Sequence, residues 1–299
     1  MSDTLESLRR KINGAGDLES VVRTMKVLAA SNILQYEKAV TALGDYYHTV
    51  ELGLTACFMQ AWEPTLAEKE RQTQSSTTGL VVFGSDQGLV GQFNDVLTDF
   101  AVNTLAELPG KKKVWAVGER VYARLEDAGL PMEGLFPVPN SVNAITPLVG
   151  QILTETENRN EKGEPSQLYI FHNRPKSGAI YEPVSQRLLP LDEQWRSEIT
   201  THHWPTSNIP EAINGIEPAL QGLIGSYLFV SLFRACAESL ASENASRLAA
   251  MQRAEKNIDE LLEDLNRVFH RLRQSSIDEE LFDVISGSEA LFTKNKKGL

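Results

Sequence analysis

The sequence predicts a doubly wound α/β domain inserted between two long terminal helices, which pair with each other as an antiparallel coiled-coil rod. Three observations predict it. The run from Ala219 to Ser286 holds Gly222 and Gly225 near its start and then neither glycine nor proline until Gly287. As one helix it would reach about 100 Å at about 1.5 Å per residue, too long for the core of a small domain. Steps of three and four from Ala241 give Asn244, Leu248, Met251, Glu255, Ile258, Leu262, Leu265, Phe269 and Leu272, all apolar except Asn244 and Glu255. The same steps from Leu18 give Val22, Met25, Ala29, Asn32, Tyr36, Ala39, Leu43, Tyr46 and Val50, polar only at Asn32. Two such a/d seams in one chain most simply pair with each other. The third observation is the middle of the chain, where short β-branched runs alternate with amphipathic stretches.

The first helix is expected from Ser2 or Asp3, as N-cap, to about Met59, giving an N-terminal segment of residues 1–62. Gly14 and Gly16 weaken its first turns, so a kink is expected there. Asn32 and Asn244 either fix the register of the pair or are solvated positions on a stripe that drifts. After a polar stretch at 72–78 the period changes. The run GLVVFGSD at 79–86 reads as strand and turn and leads into a helix from Val90 to Leu108. KVWAVG at 113–118 leads into ERVYARLEDAG, and LFPV at 135–138 into NSVNAITPLVGQILTETEN. LYIFHN at 168–173 leads into a loop with Pro and Gly, and PVSQRLLPL at 183–191 reads as a closing strand, either parallel or antiparallel. The α/β domain is thus placed at 79–192 and the C-terminal coiled-coil helix at 215–287, joined by the return segment 193–210.

The chain has 299 residues, 41% hydrophobic and 23% charged, a size that suits two folding units. The sequence has no plain apolar run of about 18 residues, so no membrane span is expected. Its start, MSDTLESLRRK, lacks the apolar core of a signal peptide, which favours the cytoplasmic side. A net charge of −11 disfavours nucleic acid as a partner. Cys57 and Cys236 have no CxxC spacing and read as small buried apolar residues.

The turn GSDQGLVGQFN at 84–94 is the most enzyme-like stretch, because open α/β sheets bind phosphates at such a turn. Gly84, Gly88 and Gly91 do not fit GxGxxG, and no GxxxxGK[ST] occurs, so a turn needing glycine backbone freedom is the stronger reading. Adjacent His202 and His203 point apart and make a poor metal pair; His48, His172 and His270 are scattered. Neither a cofactor nor a metal is expected, and chemistry by this chain alone is not indicated.

Four stretches together resemble the gamma subunit of F-type ATP synthases, the central rotating stalk. TMKVLAASNI at 24–33 keeps Met25, Ala29, Ala30 and Ser31 of that family's N-terminal block. SDQGLVGQFN keeps Asp86, Gly88, Leu89, Gly91 and Asn94 of its glycine turn. LASENASRLAAMQRAEKN at 240–257 and FHRLRQSSIDEELFDVISGSEAL at 269–291 resemble its two C-terminal blocks. Lys26, Asn32, Ile33, Gln87, Val90 and Asp278 depart from the pattern, as a divergent bacterial branch would.

The resemblance implies a non-catalytic rotor shaft. Its partners would be the α and β subunits of the catalytic ring, the epsilon subunit and the membrane c-ring, and its site the cytoplasmic face of a bacterial inner membrane, reached indirectly through the rotor. It marks Met25, Lys26, Arg273, Gln274, Asp86, Gln87 and Gly88 as contacts to partners. Residues alone leave two other readings, a nucleotide-responsive coiled-coil regulator using GSDQGLVGQ and a homodimeric scaffold. Equilibrium dialysis with ATP and NAD separates the first of these, since tight stoichiometric binding would favour it.

Overall fold

The computed structural model describes residues 4–59, 77–108, 110–158, 167–177, 179–191, 195, 208, 211–213 and 215–296. In chain order these form α1 (Leu5–Met59), β1 (Thr77–Phe83), α2 (Phe93–Glu107), β2 (Lys111–Val117), α3 (Glu119–Asp127), β3 (Met132–Phe136), α4 (Val142–Asn158), β4 (Gln167–Lys176), β5 (Ala179–Leu189) and α5 (Ile216–Lys296). They divide into two compact units. Residues 1–28 with 249–299 make unit 1, and residues 29–248 make unit 2, so each unit holds a stretch of both terminal helices.

In unit 1, α1 starts after Thr4, whose Oγ1 accepts the Ser7 amide at 3.2 Å as an N-cap oxygen does. Ser2 and Asp3, the expected caps, lie outside the described residues. The expected kink is not seen as a break, because helical bonding runs unbroken through Gly14 and Gly16. Leu8 and Ala15 are buried and Val22 is half-buried, one heptad apart, while Leu18, expected on the seam, is 59% exposed. A straight helix drifts by about 20° per heptad against a strict 3.5-residue repeat, so one arm of the stripe leaves the interface as the other holds. On α5 of this unit, Met251 is buried, and Ile258, Leu262, Leu265, Phe269 and Leu272 are half-buried as the seam requires. The helix continues through Gly287 to Lys296.

In unit 2 the same heptad positions of α1 continue as Ala29, Tyr36, Leu43 and Val50, all buried or half-buried; Tyr46 is turned out and Tyr47 in, again by drift. A side chain at Gly53 would press on Leu223, and Asn32 Nδ2 donates to Asn244 Oδ1 at 3.3 Å. The α5 partner falls from 244 to 223 as α1 rises from 32 to 53, so the helices run antiparallel within one chain. Leu248 is half-buried. The asparagines thus meet each other rather than solvent, and Asn244 also donates to the Leu240 carbonyl of its own helix at 2.8 Å. Asn32→Ala should cost about 1–2 kcal/mol by leaving buried Asn244 short of a donor. The double change to Leu should be near neutral in thermal melts while loosening the register, read as weakened amide-exchange protection around both sites.

The sheet has the order β3-β2-β1-β4-β5, parallel except for β5, which runs antiparallel to β4. The chain leaves β1 to one side for β2 and β3, then crosses to the other side for β4, so the switch point lies between β1 and β4. What sequence suggests to be a loop after LYIFHN is a hairpin, because Arg174 to Lys176 stay paired with β5. Side chains alternate along β1. Leu80 and Val82 face α2 and α3 with Leu97, Ala101, Val121 and Leu125. Val81 and Phe83 face α4 and the terminal helices, with Ile145, Ile152, Leu54, Leu232 and Phe233. In unit 2, then, the terminal helices supply one layer of the α/β sandwich rather than hanging from it. The most apolar 18-residue stretch of α5 has mean hydropathy 1.3, and half of it is buried in the protein, as a core helix would be. Cys57 and Cys236 are free and buried in this core. Most of the return segment 193–210, including His202 and His203, lies outside the described residues.

Candidate functional site

The glycine turn sits where β1 ends, at the switch point. Gly84 packs so closely that an added Cβ would meet the Val121 Cβ at 2.3 Å, and one on Gly118 would meet the Ser85 backbone at 2.7 Å. Only residues without a side chain let the turns after β1 and β2 touch. The Asn94 side chain then fixes the turn, accepting the Ser85 amide at 3.1 Å and donating to Ser85 Oγ at 2.8 Å. Asp86 ties three loops together, its Oδ1 accepting the Glu119 amide at 2.9 Å and its Oδ2 the Val138 amide at 3.0 Å. Its first bond caps α3 from another loop, where a carboxylate also meets the positive helix end.

Helix α5 closes the crevice. Ser239 Oγ donates to the Phe83 carbonyl at 2.9 Å and Ser246 Oγ to the Val90 carbonyl at 2.5 Å. Buried Glu243 pairs with Arg247 at 2.6 Å on the same helix face. Burial pushes the Glu243 carboxyl above its ordinary value, against the pull of Arg247 and with a further push from Asp86. Where an open α/β sheet would cradle a phosphate, this chain presents Ser239, Ser246 and the Glu243–Arg247 pair of its own C-terminal helix. Among the described residues no His, Cys, Asp and Glu cluster is suited to a metal.

Of the expected partner contacts, Asp86 is turned inward with both oxygens bonded, Gly88 is half-buried, and Gln87 is exposed at the tip of the turn. Beside it Leu89 is 62% exposed at φ 62°, an uncommon backbone state for leucine. In unit 1, Met25 is half-buried and lines a shallow depression with Ser20, Val21 and Thr24. Lys26 is engaged within the helix pair: its Nζ meets Glu255 at 2.5 Å, and Arg23, itself paired with Glu19, reaches the same carboxylate at 3.4 Å. This explains why a glutamate can stand on the C-terminal seam. Arg273 and Gln274 are exposed on α5.

The hydrogen bond from Lys26, with help from Arg23, holds the Glu255 carboxyl below its ordinary value of 4.5. A depressed acid contributes stability above its unfolded value, and that contribution is lost as pH falls through the folded one. Acidification below about pH 4.5 should therefore loosen this part of the helix pair, followed by circular dichroism. Glu255→Gln should be weaker at neutral pH and should lose less on acidification.

One cluster escapes sequence reading: His172, Glu238, Arg234 and Tyr47, from β4, α5 and α1. The available signal is an Arg and a Glu four residues apart inside the most apolar part of a helix, where an unpartnered charge is costly.

With this geometry in view, comparison with known proteins is informative. A family model described as ATP synthase matches residues 4–291. The ATP synthase gamma chain of Dechloromonas aromatica (strain RCB) is 26% identical over 296 residues, 96% of this chain and 99% of that protein. That of Salinibacter ruber is 27% identical over 304 residues, covering 96% and 98%. Among solved structures, a chain of the OSCP/F1/c-ring assembly of the Euglena gracilis mitochondrial ATP synthase superposes with TM-score 0.67 at 17% identity. It covers 99% of this chain and 97% of that one. A chain of the central stalk and c-ring of the Tetrahymena thermophila enzyme gives TM-score 0.54 at 20% identity, covering 78% and 99%. The two structures share the fold, an α/β sheet with long N- and C-terminal helices; the match from residue 4 to residue 291 takes in both helices and the whole sheet, and by it the chain belongs to the ATP synthase family.

Proposed function

We propose that this chain is the central stalk of a rotary F-type ATP synthase, the shaft that links ion flow through the membrane sector to ATP synthesis or hydrolysis on the α/β ring. The single observation that carries the reading is the family match over both terminal helices and the intervening sheet. One asymmetric rod inside a ring of repeated subunits cannot meet each of them alike. Each orientation favours a different conformation in each subunit, and turning the rod exchanges those preferences. The chain itself is non-catalytic; in support, its switch-point crevice is filled by Ser239, Ser246 and Glu243 of α5.

Residues 1–62 and 215–287 act as the shaft helices, and residues 79–192 as the domain that grips the c-ring and the epsilon subunit. Exposed Arg273, Gln274 and Gln87, with Met25, are the contacts to partners; Lys26 acts through its bond to Glu255 and Asp86 by holding Gln87 and Gly88 in place. The complex is peripheral, on the cytoplasmic face of a bacterial inner membrane. Purification of a tagged chain from its own cells tests the reading. Stoichiometric recovery of α and β ATPase subunits is expected; recovery of the chain alone, or tight ATP binding by the free chain, would overturn it.

A further inference from the structure

In unit 2 a buried acid joins three elements. Glu238 of α5 is 6% exposed, and its carboxylate is held from two sides, by His172 Nε2 of β4 at 2.9 Å and by Arg234 Nε at 2.8 Å. The Arg234 guanidinium lies over the Tyr47 ring of α1, 5.7 Å from its centroid. Tyr47 in turn bonds Glu51 and stands 6.2 Å from the Tyr227 ring. The path therefore runs from the sheet through the C-terminal helix to the N-terminal one. Burial alone would raise the Glu238 carboxyl, but its bonds to His172 and Arg234 hold it below the ordinary value, so it is charged at neutral pH.

The Arg234 side chain is 47% exposed, and an ion pair with one partner in solvent adds little net stability; Tyr227, Leu232, Phe233 and Leu240 already hold this stretch of α5 in the core. What it adds is direction. Apolar contact has no preferred direction, whereas the His172–Glu238 hydrogen bond fixes both distance and angle between β4 and α5, and the Arg234 guanidinium extends that link to the Tyr47 ring of α1 as a cation–π contact. We propose that His172, Glu238, Arg234 and Tyr47 form a clasp that carries torsional load between the α/β sheet and the paired helices; this rests on the rotor reading above.

The test uses the membrane-embedded complex with Glu238→Gln, which keeps the shape and removes the charge. Two rates are compared: ATP hydrolysis in membranes made leaky to ions, and the ATP-driven membrane potential in sealed vesicles, read with a potential-sensitive dye. The clasp predicts near-normal hydrolysis without load and a potential-forming rate lower by about threefold or more, within the range that single residues in coupling networks produce. A proportionate fall in both rates, as a residue needed only for assembly would give, overturns the clasp; so does no change in either. If Glu238→Gln fails to assemble, Arg234→Lys serves instead, because it keeps the charge and loses the flat guanidinium over Tyr47, and the same outcomes decide. A wild-type chain that brings down no α and β subunits overturns the rotor reading and the clasp with it, whereas an intact wild-type complex with proportionate losses overturns the clasp alone.

Discussion

Gly118→Ala is expected to destabilise the α/β domain by about 2–6 kcal/mol, a large share of the stability of an ordinary domain. Two costs add. The residue has φ 117°, where a side chain is strained by about 1–3 kcal/mol. The new Cβ would also stand 2.7 Å from the Ser85 carbonyl carbon and oxygen, which are backbone and cannot swing aside. Overpacking of this kind costs about 1–3 kcal/mol more. The Ser85 carbonyl it would displace accepts the Arg120 amide at 2.9 Å, so the start of α3 is disturbed as well. Gly129→Ala is the control, because its φ is 79° but no atom lies within 4 Å of the added Cβ. It should cost about 1 kcal/mol, from strain alone. Thermal melts of the two variants, followed by near-ultraviolet circular dichroism, check the pair, and equal losses would show that the close approach of the two turns adds no cost of its own.

Arg273→Ala with Gln274→Ala is expected to do the opposite, leaving the chain intact while lowering the turnover of the complex. Both residues are exposed on α5, so the melt of the free chain should shift by no more than about 1 kcal/mol. The proposed contact is a charge-assisted hydrogen bond made in only some orientations of the shaft, the sort of differential contact that couples rotation to affinity. Loss of that contact should reduce ATP hydrolysis of the reconstituted complex by about tenfold, the equivalent of one such bond. A large loss of stability, or normal turnover in an intact complex, would return the pair to a structural role.

The fold was legible because its signals are local and repeated. Heptads such as Ala29, Tyr36 and Val50 report an interface from spacing alone, and runs such as LVVF report a buried strand. Leu18 and Tyr46 were misplaced because a strict pattern does not follow the slow drift of a real helix. The hairpin at Arg174–Lys176 was hidden because Pro175 reads as a loop, whereas β5 supplies its ladder partner from a distance. The site was less legible. Glycines at 84 and 118 signal a tight turn, but that α5 fills the crevice depends on Ser239 and Ser246 meeting carbonyls 156 residues away. In the sequence Lys26 reads as a departure at a partner contact, whereas in the structure it faces Glu255, and no spacing rule joins residues 229 positions apart.

The proposed shaft turns inside a ring of catalytic subunits. Asp127→Cys, exposed at the end of α3, offers one accessible thiol for a probe, since both native cysteines are buried and burial raises their thiol pKa values, keeping them unreactive. With the α/β ring fixed to a surface and ATP added, single complexes should show the probe rotating in one direction. A probe that stays still while the same complexes hydrolyse ATP would contradict the account.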